Sequence, residues 1–234
     1  DVIESRGLGD VYKRQAIIVS DEFPTYYPRR AIQAASGSIP VQMYTADSNG
    51  VIPMSWTESA HTTAHGFRRW IHANFTRCPE TWPKRNPIPK NSNLKMSDEL
   101  FSSILDGCSV KLPPFEWLWR CSEGGSVGRK ALSAIDIDHT VIPVRMANGG
   151  RTTAKRKLAN FLTNNLDRYH LDRNSVDNPA VSGLSPWLHF GHISSIEIVE
   201  QILNQNDWTP EHIDTSRKGS REGWWGLSQG VESF

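Results

Sequence analysis

The chain lacks several things that would have settled its class early. No run approaches the roughly 20 consecutive apolar residues that a membrane-spanning helix needs, and the N-terminus has no basic segment followed by an apolar stretch, so nothing points to secretion. Cysteine is scarce. Cys78, Cys108 and Cys121 stand far apart, with no C-x-x-C pair and no histidine at zinc-finger spacing, which excludes a disulfide framework and a structural zinc site. Net charge is near zero, at +1, so total charge argues neither for nor against a polyanionic partner. No internal repeat, low-complexity tract, Walker-type loop or Ser/His/Asp constellation is legible. The expectation from these absences is a cytoplasmic protein with no membrane partner, taken here to be a monomer.

What the chain does have is enough apolar material for a core. Of its 234 residues 38% are hydrophobic, nine of them tryptophan and eight phenylalanine, while 22% are charged, which argues against disorder. Residues 1–15, DVIESRGLGDVYKRQ, show no apolar periodicity and are set aside as an extraneous segment. The absence of an initiating Met and the helix-like start of the last residues suggest a piece of a longer protein.

Ala16–Ser20 (AIIVS) is a short β-branched apolar run, predicted as a strand buried on both faces, as in a parallel sheet. Pro28 opens a helical stretch over Arg29–Ala35 that Gly37 is expected to end, and Val41–Ala46 reads as a second strand ending at Asp47. Strand, helix and strand with short connections make a βαβ unit. From Ser55 to Pro143 the pattern loosens. A helix over Thr62–Asn74 would place Phe67, Trp70 and Ile71 together, and another over Ser97–Leu105 would be capped by Ser97 or Asp98, with Leu100, Ile104 and Leu105 inward. Between them, four prolines from Pro79 to Pro89 break the chain. The window from Phe67 to Lys95 carries seven basic residues (Arg68, Arg69, Arg77, Lys84, Arg85, Lys90, Lys95) against Glu80 alone. It is either a solvated linker, the commoner case, or a phosphate contact.

Regularity returns after Gly149-Gly150. Thr152 or Thr153 is placed to cap a helix whose Ala154, Leu158, Phe161, Leu162 and Leu166 share one face, with Lys155, Arg156 and Lys157 fanning around the outside. Ser185-Pro186 reads as a helix start with a hydroxyl cap, and Ser194-x-x-Glu197 as a capping box before Ile198, Val199, Ile202 and Leu203. The turn Val181-Ser182-Gly183-Leu184-Ser185 therefore presents hydroxyls, a glycine and free N–H groups, a donor set suited to phosphate or pyrophosphate. Taken alone, such a turn is far more often a plain cap. Tyr169 lies twelve residues before it, near enough in a helical fold to flank a bound ligand. His189 and His192 have a spacing that a metal could use, though helix packing is the commoner role. Trp224-Trp225 reads first as a packing anchor, and second as an electron-transfer or base-stacking pair.

The ordered series Gly149-Gly150, Tyr169, Arg173-Asn174 and Val181 through Ser194 resembles the entry to the FAD-binding helical domain of the photolyase/cryptochrome family, with a flavour nearest class II cyclobutane-dimer photolyases. Ile17–Pro24, Asp47–Pro53, Gly219–Trp225 and Val231–Phe234 are similar to other parts of that family, so the resemblance covers residues 16–60 and 140–234. It implies a fold of α/β followed by all-α: a partial parallel, Rossmann-like sheet domain, a linker, and the first part of a helical FAD-binding domain. The implied organisation is an extraneous segment (1–15), the C-terminal part of an α/β domain (16–60), an interdomain linker (61–140) and the start of the FAD-binding domain (141–234). By the same resemblance Tyr169, Ser182, Gly183, Leu184 and Ser185 hold the FAD diphosphate, a second antenna chromophore is possible, and the substrate is damaged DNA containing pyrimidine dimers. The catalytic residues of the family fall beyond Phe234. Val181 stands where the family has Thr, losing one hydroxyl donor, and Trp187 stands where Tyr is usual. The implied activity is light-driven splitting of the dimer. A cryptochrome-type photoreceptor and a non-catalytic nucleotide-binding protein are the alternatives. The piece by itself is expected to bind FAD poorly and to repair nothing.

Overall fold

A computed structural model describes residues 17–84 and 147–234, together with residues 87, 97–99, 102, 103, 133, 136–141 and 144. The chain divides into two units. One is built from Asp1–Pro83 with Gly149–Phe234, the other from Lys84–Asn148. In the second unit, an Asp138 carboxylate turn accepts the Thr140 N–H and hydroxyl at 2.9 and 2.6 Å. Of the helix expected over Ser97–Leu105, the described residues 98, 99, 102 and 103 are helical, while Leu100, Ile104 and Leu105 lie outside the described residues.

The first unit begins with the expected βαβ. Strand β1 (Ile17–Asp21) pairs in parallel with β2 (Gln42–Ala46), Ile17 opposite Gln42, with helix α1 (Tyr26–Ser38) between them. Gly37 lies inside α1, which closes when the Ile39 N–H bonds the Ala35 carbonyl. The expectation that β1 is buried on both faces is not met. Ile17 and Val19 are 56% and 61% exposed, and only the alternate residues are half-buried. A strand loses both faces to the core only where helices cover both sides of the sheet. The described sheet has two strands and one crossover helix, and α1 buries no residue.

Beyond β2 the Asp47 carboxylate organises the loop. It accepts the N–H groups of Asn49 and Met54 at 3.1 and 2.6 Å and the Asn49 amide at 3.2 Å, and that amide also reaches the Glu22 carbonyl. Partial burial alone would raise this carboxyl's pKa, but the hydrogen bonds from Met54 and Asn49 outweigh it and lower it. Helix α2 (Ala64–Asn74) follows, its Thr63 side chain accepting the Gly66 N–H at 3.0 Å.

The core lies in the C-terminal helices. Helix α3 (Arg151–Asn164) buries Ala154, Leu158 and Phe161 as its spacing predicts, and Leu166 just beyond it is buried too. It starts earlier than either Thr cap would allow. Gly150 is the N-cap, with φ +94, a conformation that side-chain-bearing residues avoid. Short helix α4 (Tyr169–Asp172), then α5 (Ser185–His189), α6 (Ser195–Gln205) and α7 (Gln229–Ser233) follow, and α7 packs on α4. Ser194 caps α6 by accepting the Glu197 N–H at 3.1 Å. The other half of the expected box is replaced: the Glu197 carboxylate takes a two-pronged pair from Arg151 at 2.8 and 2.9 Å, with Lys155 at 3.8 Å. Among the described residues no helix is long and apolar enough to cross a membrane.

Candidate functional site

The turn before α5 departs in detail from its sequence reading. Leu184, in right-handed helical conformation, is the N-cap of α5, and Ser185 is its first residue, so Ser185 is not the hydroxyl cap expected of it. The cap position passes to Leu184 because the Ser182 hydroxyl accepts the Leu184 N–H at 3.5 Å and folds the turn one residue earlier. With five residues α5 carries little macrodipole. The local donors have to do the work. Gly183 and Ser185 are exposed, and their N–H groups meet no acceptor among the described residues. Leu184 is only 1% exposed and its N–H is taken up by Ser182, so the residue belongs to the core.

Gly183 has φ +60, which favours glycine over any branched residue. A Cβ built there would meet Lys157 Cε at 3.1 Å and Nζ at 3.4 Å. Lys157 therefore leans from α3 across the turn rather than fanning outward, and it has no carboxylate partner among the described residues. Sequence reasoning missed it. The only available signal was its position one turn before Phe161, on the flank of the buried face. A cation, two hydroxyls, a glycine and free N–H groups within one turn form a donor set for an anion.

Tyr169 sits in α4, half-buried. Its ring meets Phe161 edge-on at 6.0 Å and Phe234 edge-on at 5.2 Å, and Phe161 and Phe234 are 4.7 Å apart. The Arg173 guanidinium lies 5.7 Å over the same ring. Arg173 and Phe234 also line a cavity of about 880 Å³, within the size range of small-molecule sites. Its walls come from the Asn49–Met54 loop, from Phe67, Trp70 and Ile71 of α2 and Phe75 just after it, from Val199, Ile202 and Leu203 of α6, and from the stretch between Ser220 and Phe234. Tyr169 thus adjoins the cavity wall through its two neighbours, whereas residues 182–185 do not line it. Glu232, on the cavity wall, accepts the Leu227 N–H with one carboxylate oxygen at 3.2 Å and holds the other buried without a hydrogen bond among the described residues.

His72 is the second residue that the sequence did not single out. It is 7% exposed, accepts the Gly219 N–H at Nδ1 (2.8 Å) and stacks on Trp224 with centroids 4.0 Å apart and planes 7° apart. Burial first, then the nearby charges of Arg68 and Lys218, push its pKa down to about 4, so the imidazole is neutral with its proton on Nε2. Trp224, 2% exposed, is a packing anchor, the first of its two readings. Trp225 packs edge-on against Phe75 at 4.4 Å, and its carbonyl accepts the Trp208 indole N–H at 2.7 Å. His192 accepts the Gly150 N–H at 3.2 Å, which pins the Gly149-Gly150 turn, and His189 is exposed. Among the described residues no group of His, Cys, Asp and Glu is arranged to hold a metal.

No protein-family model matches the chain. Against curated proteins, it is 22% identical over 216 residues to the deoxyribodipyrimidine photo-lyase of Potorous tridactylus, covering 90% of the chain and 34% of that relative. It is 27% identical over 210 residues to the deoxyribodipyrimidine photo-lyase of Arabidopsis thaliana, covering 85% and 37%, and 26% identical over 212 residues to that of Oryza sativa subsp. japonica, covering 84% and 36%. The chain spans about a third of the length of the curated relatives it matches. Over most of its own length, this chain resembles the photolyases, as its Asn148–Ser194 motif implies.

Proposed function

We propose that this chain contributes the diphosphate-binding part of a flavin site in a light-dependent DNA photolyase. In this reading residues 16–60 belong to an α/β domain, 61–140 connect it onward, and 141–234 open the helical FAD-binding domain. The observation that carries the reading is the turn Ser182–Ser185 under Lys157, set within a sequence similar to three photolyases.

The residues present fit the group. The Ser182 and Ser185 hydroxyls and the free N–H groups of Gly183 and Ser185 donate to phosphate oxygens, and Lys157 supplies the countercharge. Gly183 keeps the surface of the turn open where a side chain would obstruct it. Tyr169, fixed edge-on by Phe161 and Phe234, offers a ring and a hydroxyl beside the site. When bound, reduced and photoexcited FAD would supply the electron that splits a cyclobutane pyrimidine dimer in DNA. The chain's own residues hold and orient one end of that cofactor. The second antenna chromophore, if the protein uses one, is a further small-molecule partner on this reading.

Titrating the chain with FAD tests the reading, with ADP and riboflavin as competitors. ADP carries the diphosphate and riboflavin does not, so the expected result is weak FAD binding that ADP displaces and riboflavin leaves in place. Riboflavin competing as well as ADP, or no FAD binding, would refute the assignment of the turn.

A further inference from the structure

The loop between Asp214 and Trp224 is held against α2 at a single glycine. Gly219 (φ +88) gives its N–H to buried His72 at 2.8 Å, and its carbonyl accepts from Arg68 Nη1 at 3.4 Å. On its Cα side, an added Cβ would run into Arg69 Cγ and come within 2.9 Å of His65 Cε1. Two turns of α2 thus clamp a residue that lies 147 positions beyond His72 in the chain. The clamp sets Lys218, the residue before Gly219, by Arg68 and Arg69 of the helix, and Arg221 lines the same cavity as Arg68.

Within the helix and the loop themselves, these charges are not cancelled. Helix α2 carries no acid. Of the loop's two acids, Asp214 is tied to Arg217 at 3.3 Å and Glu222 stands alone against the remaining cations. Arg69, Lys218 and Arg221 are exposed and have no carboxylate partner among the described residues. Gathering like charges opposes folding. Here the buried His72–Gly219 hydrogen bond and the Trp224 stack hold them together regardless. The neutral imidazole of His72 registers the resulting positive field, since Arg68 and Lys218 both act on it. The basic window noted in the sequence therefore divides. Arg77 is engaged over the Trp56 ring at 4.8 Å, whereas Arg68 and Arg69 join the loop cations.

We propose that the face formed by α2 and the Asp214–Glu222 loop is a contact surface for the sugar–phosphate backbone of DNA. The choice of DNA rests on the photolyase reading, while the cluster itself requires only phosphate. Guanidinium groups match phosphate in a two-pronged geometry, and such contacts position a duplex without reading its sequence.

The experiment is fluorescence anisotropy of the full chain with a short labelled duplex over a sodium chloride series. The comparison is with the chain carrying Arg69→Ala, Lys218→Ala and Arg221→Ala together. The slope of log affinity against log salt is expected to become shallower by roughly one per residue removed, with at least about a tenfold loss of affinity at physiological salt. An unchanged slope and affinity in a variant that unfolds like wild type overturns the proposal, as does a wild-type chain that binds no duplex. Should the triple variant fail to fold, Lys218→Ala with Arg221→Ala, both on the exposed loop, should still lower the slope by about two. Phosphatidylserine vesicles competing through the same residues as strongly as DNA would also overturn the choice of partner. A duplex bearing a thymine dimer separates the two claims. No preference for the dimer with a shallower slope in the variant leaves the surface standing and counts against the photolyase reading. A preference that persists with an unchanged slope removes the surface alone.

Discussion

Protonating His72 should unfasten the loop that it holds, and the sign and size of the effect follow from its surroundings. In the unfolded chain the imidazole titrates near 6.5, and in the fold at about 4. Between those values the unfolded state binds a proton that the folded state refuses, so stability falls as pH drops. The contribution is fully present above about pH 6.5, is lost progressively down to pH 4, and does not change further below that. The gap bounds the loss at about 3 kcal/mol. One edge of the ring lines the cavity, where solvent screens the charge, which brings the expected loss nearer 2 kcal/mol. Urea unfolding at a series of pH values, followed by tryptophan fluorescence, reads the effect, with Trp224 stacked on the titrating ring as reporter. His72→Asn is the control, because its amide oxygen keeps an acceptor near the Gly219 N–H but cannot titrate. The carboxylates are common to both proteins, so the difference between the two pH profiles isolates His72. Identical slopes for wild type and His72→Asn between pH 6.5 and 4 would refute the argument.

Three further perturbations follow from the same packing. Phe161→Ala should cost about 3–5 kcal/mol, since Phe161 is 1% exposed and the cavity left behind lies between Tyr169 and Phe234; a urea unfolding curve showing less than about 1 kcal/mol would contradict its place at the centre of the core. Gly183→Ala should destabilise by about 1 kcal/mol because of the positive φ and should also weaken FAD binding as Lys157 is displaced, whereas Gly183→Asn, which tolerates that φ, should be milder by thermal melting. Asp47→Ala should cost about 1 kcal/mol by removing the acceptor for the Asn49 and Met54 N–H groups. Its carboxyl titrates below the ordinary range, so the contribution is present above the unfolded value and lost as pH falls through the folded one, which acid titration of wild type against the variant would show.

The parts of the fold that sequence made legible are those governed by near neighbours. Ser194 was readable as a cap because the cap and the N–H that it satisfies are three residues apart. The inner face of α3 was readable because Ala154, Leu158 and Phe161 repeat with the helix period. The exposure of Ile17 and Val19 was not readable, since an apolar run states what a strand would bury, not whether anything covers it. His72 looked like any histidine in a helix, because what makes it distinctive is Gly219 and Trp224, contributed by a distant loop. The site shows the same division. The Ser182–Ser185 turn was visible as a motif, but the cation that completes it was not, since Lys157 faces Gly183 through tertiary packing and its neighbours Lys155 and Arg156 look alike in sequence. Lys155 in fact turns to Glu197.

That division bears on how the proposed flavin site is held together. Lys157 and Phe161 are four residues apart on α3, about 6 Å along its axis and on adjoining strips of its surface. Lys157 reaches the Gly183 turn, and Phe161 fixes the ring of Tyr169, so two of the site's flanks are set by adjacent turns of one helix. The helix itself is anchored at its start by Gly150 on His192 and by Arg151 on Glu197, both contacts with the segment that follows the turn. The distance between the amine and the tyrosine ring therefore depends on the rigidity of α3 and not on the loop from Arg173 to Ala180, which is largely exposed. Insertions in that loop should leave the pair in place. A residue inserted between Lys157 and Phe161 would rotate one by about 100° relative to the other, and should abolish diphosphate binding even if the chain still folds.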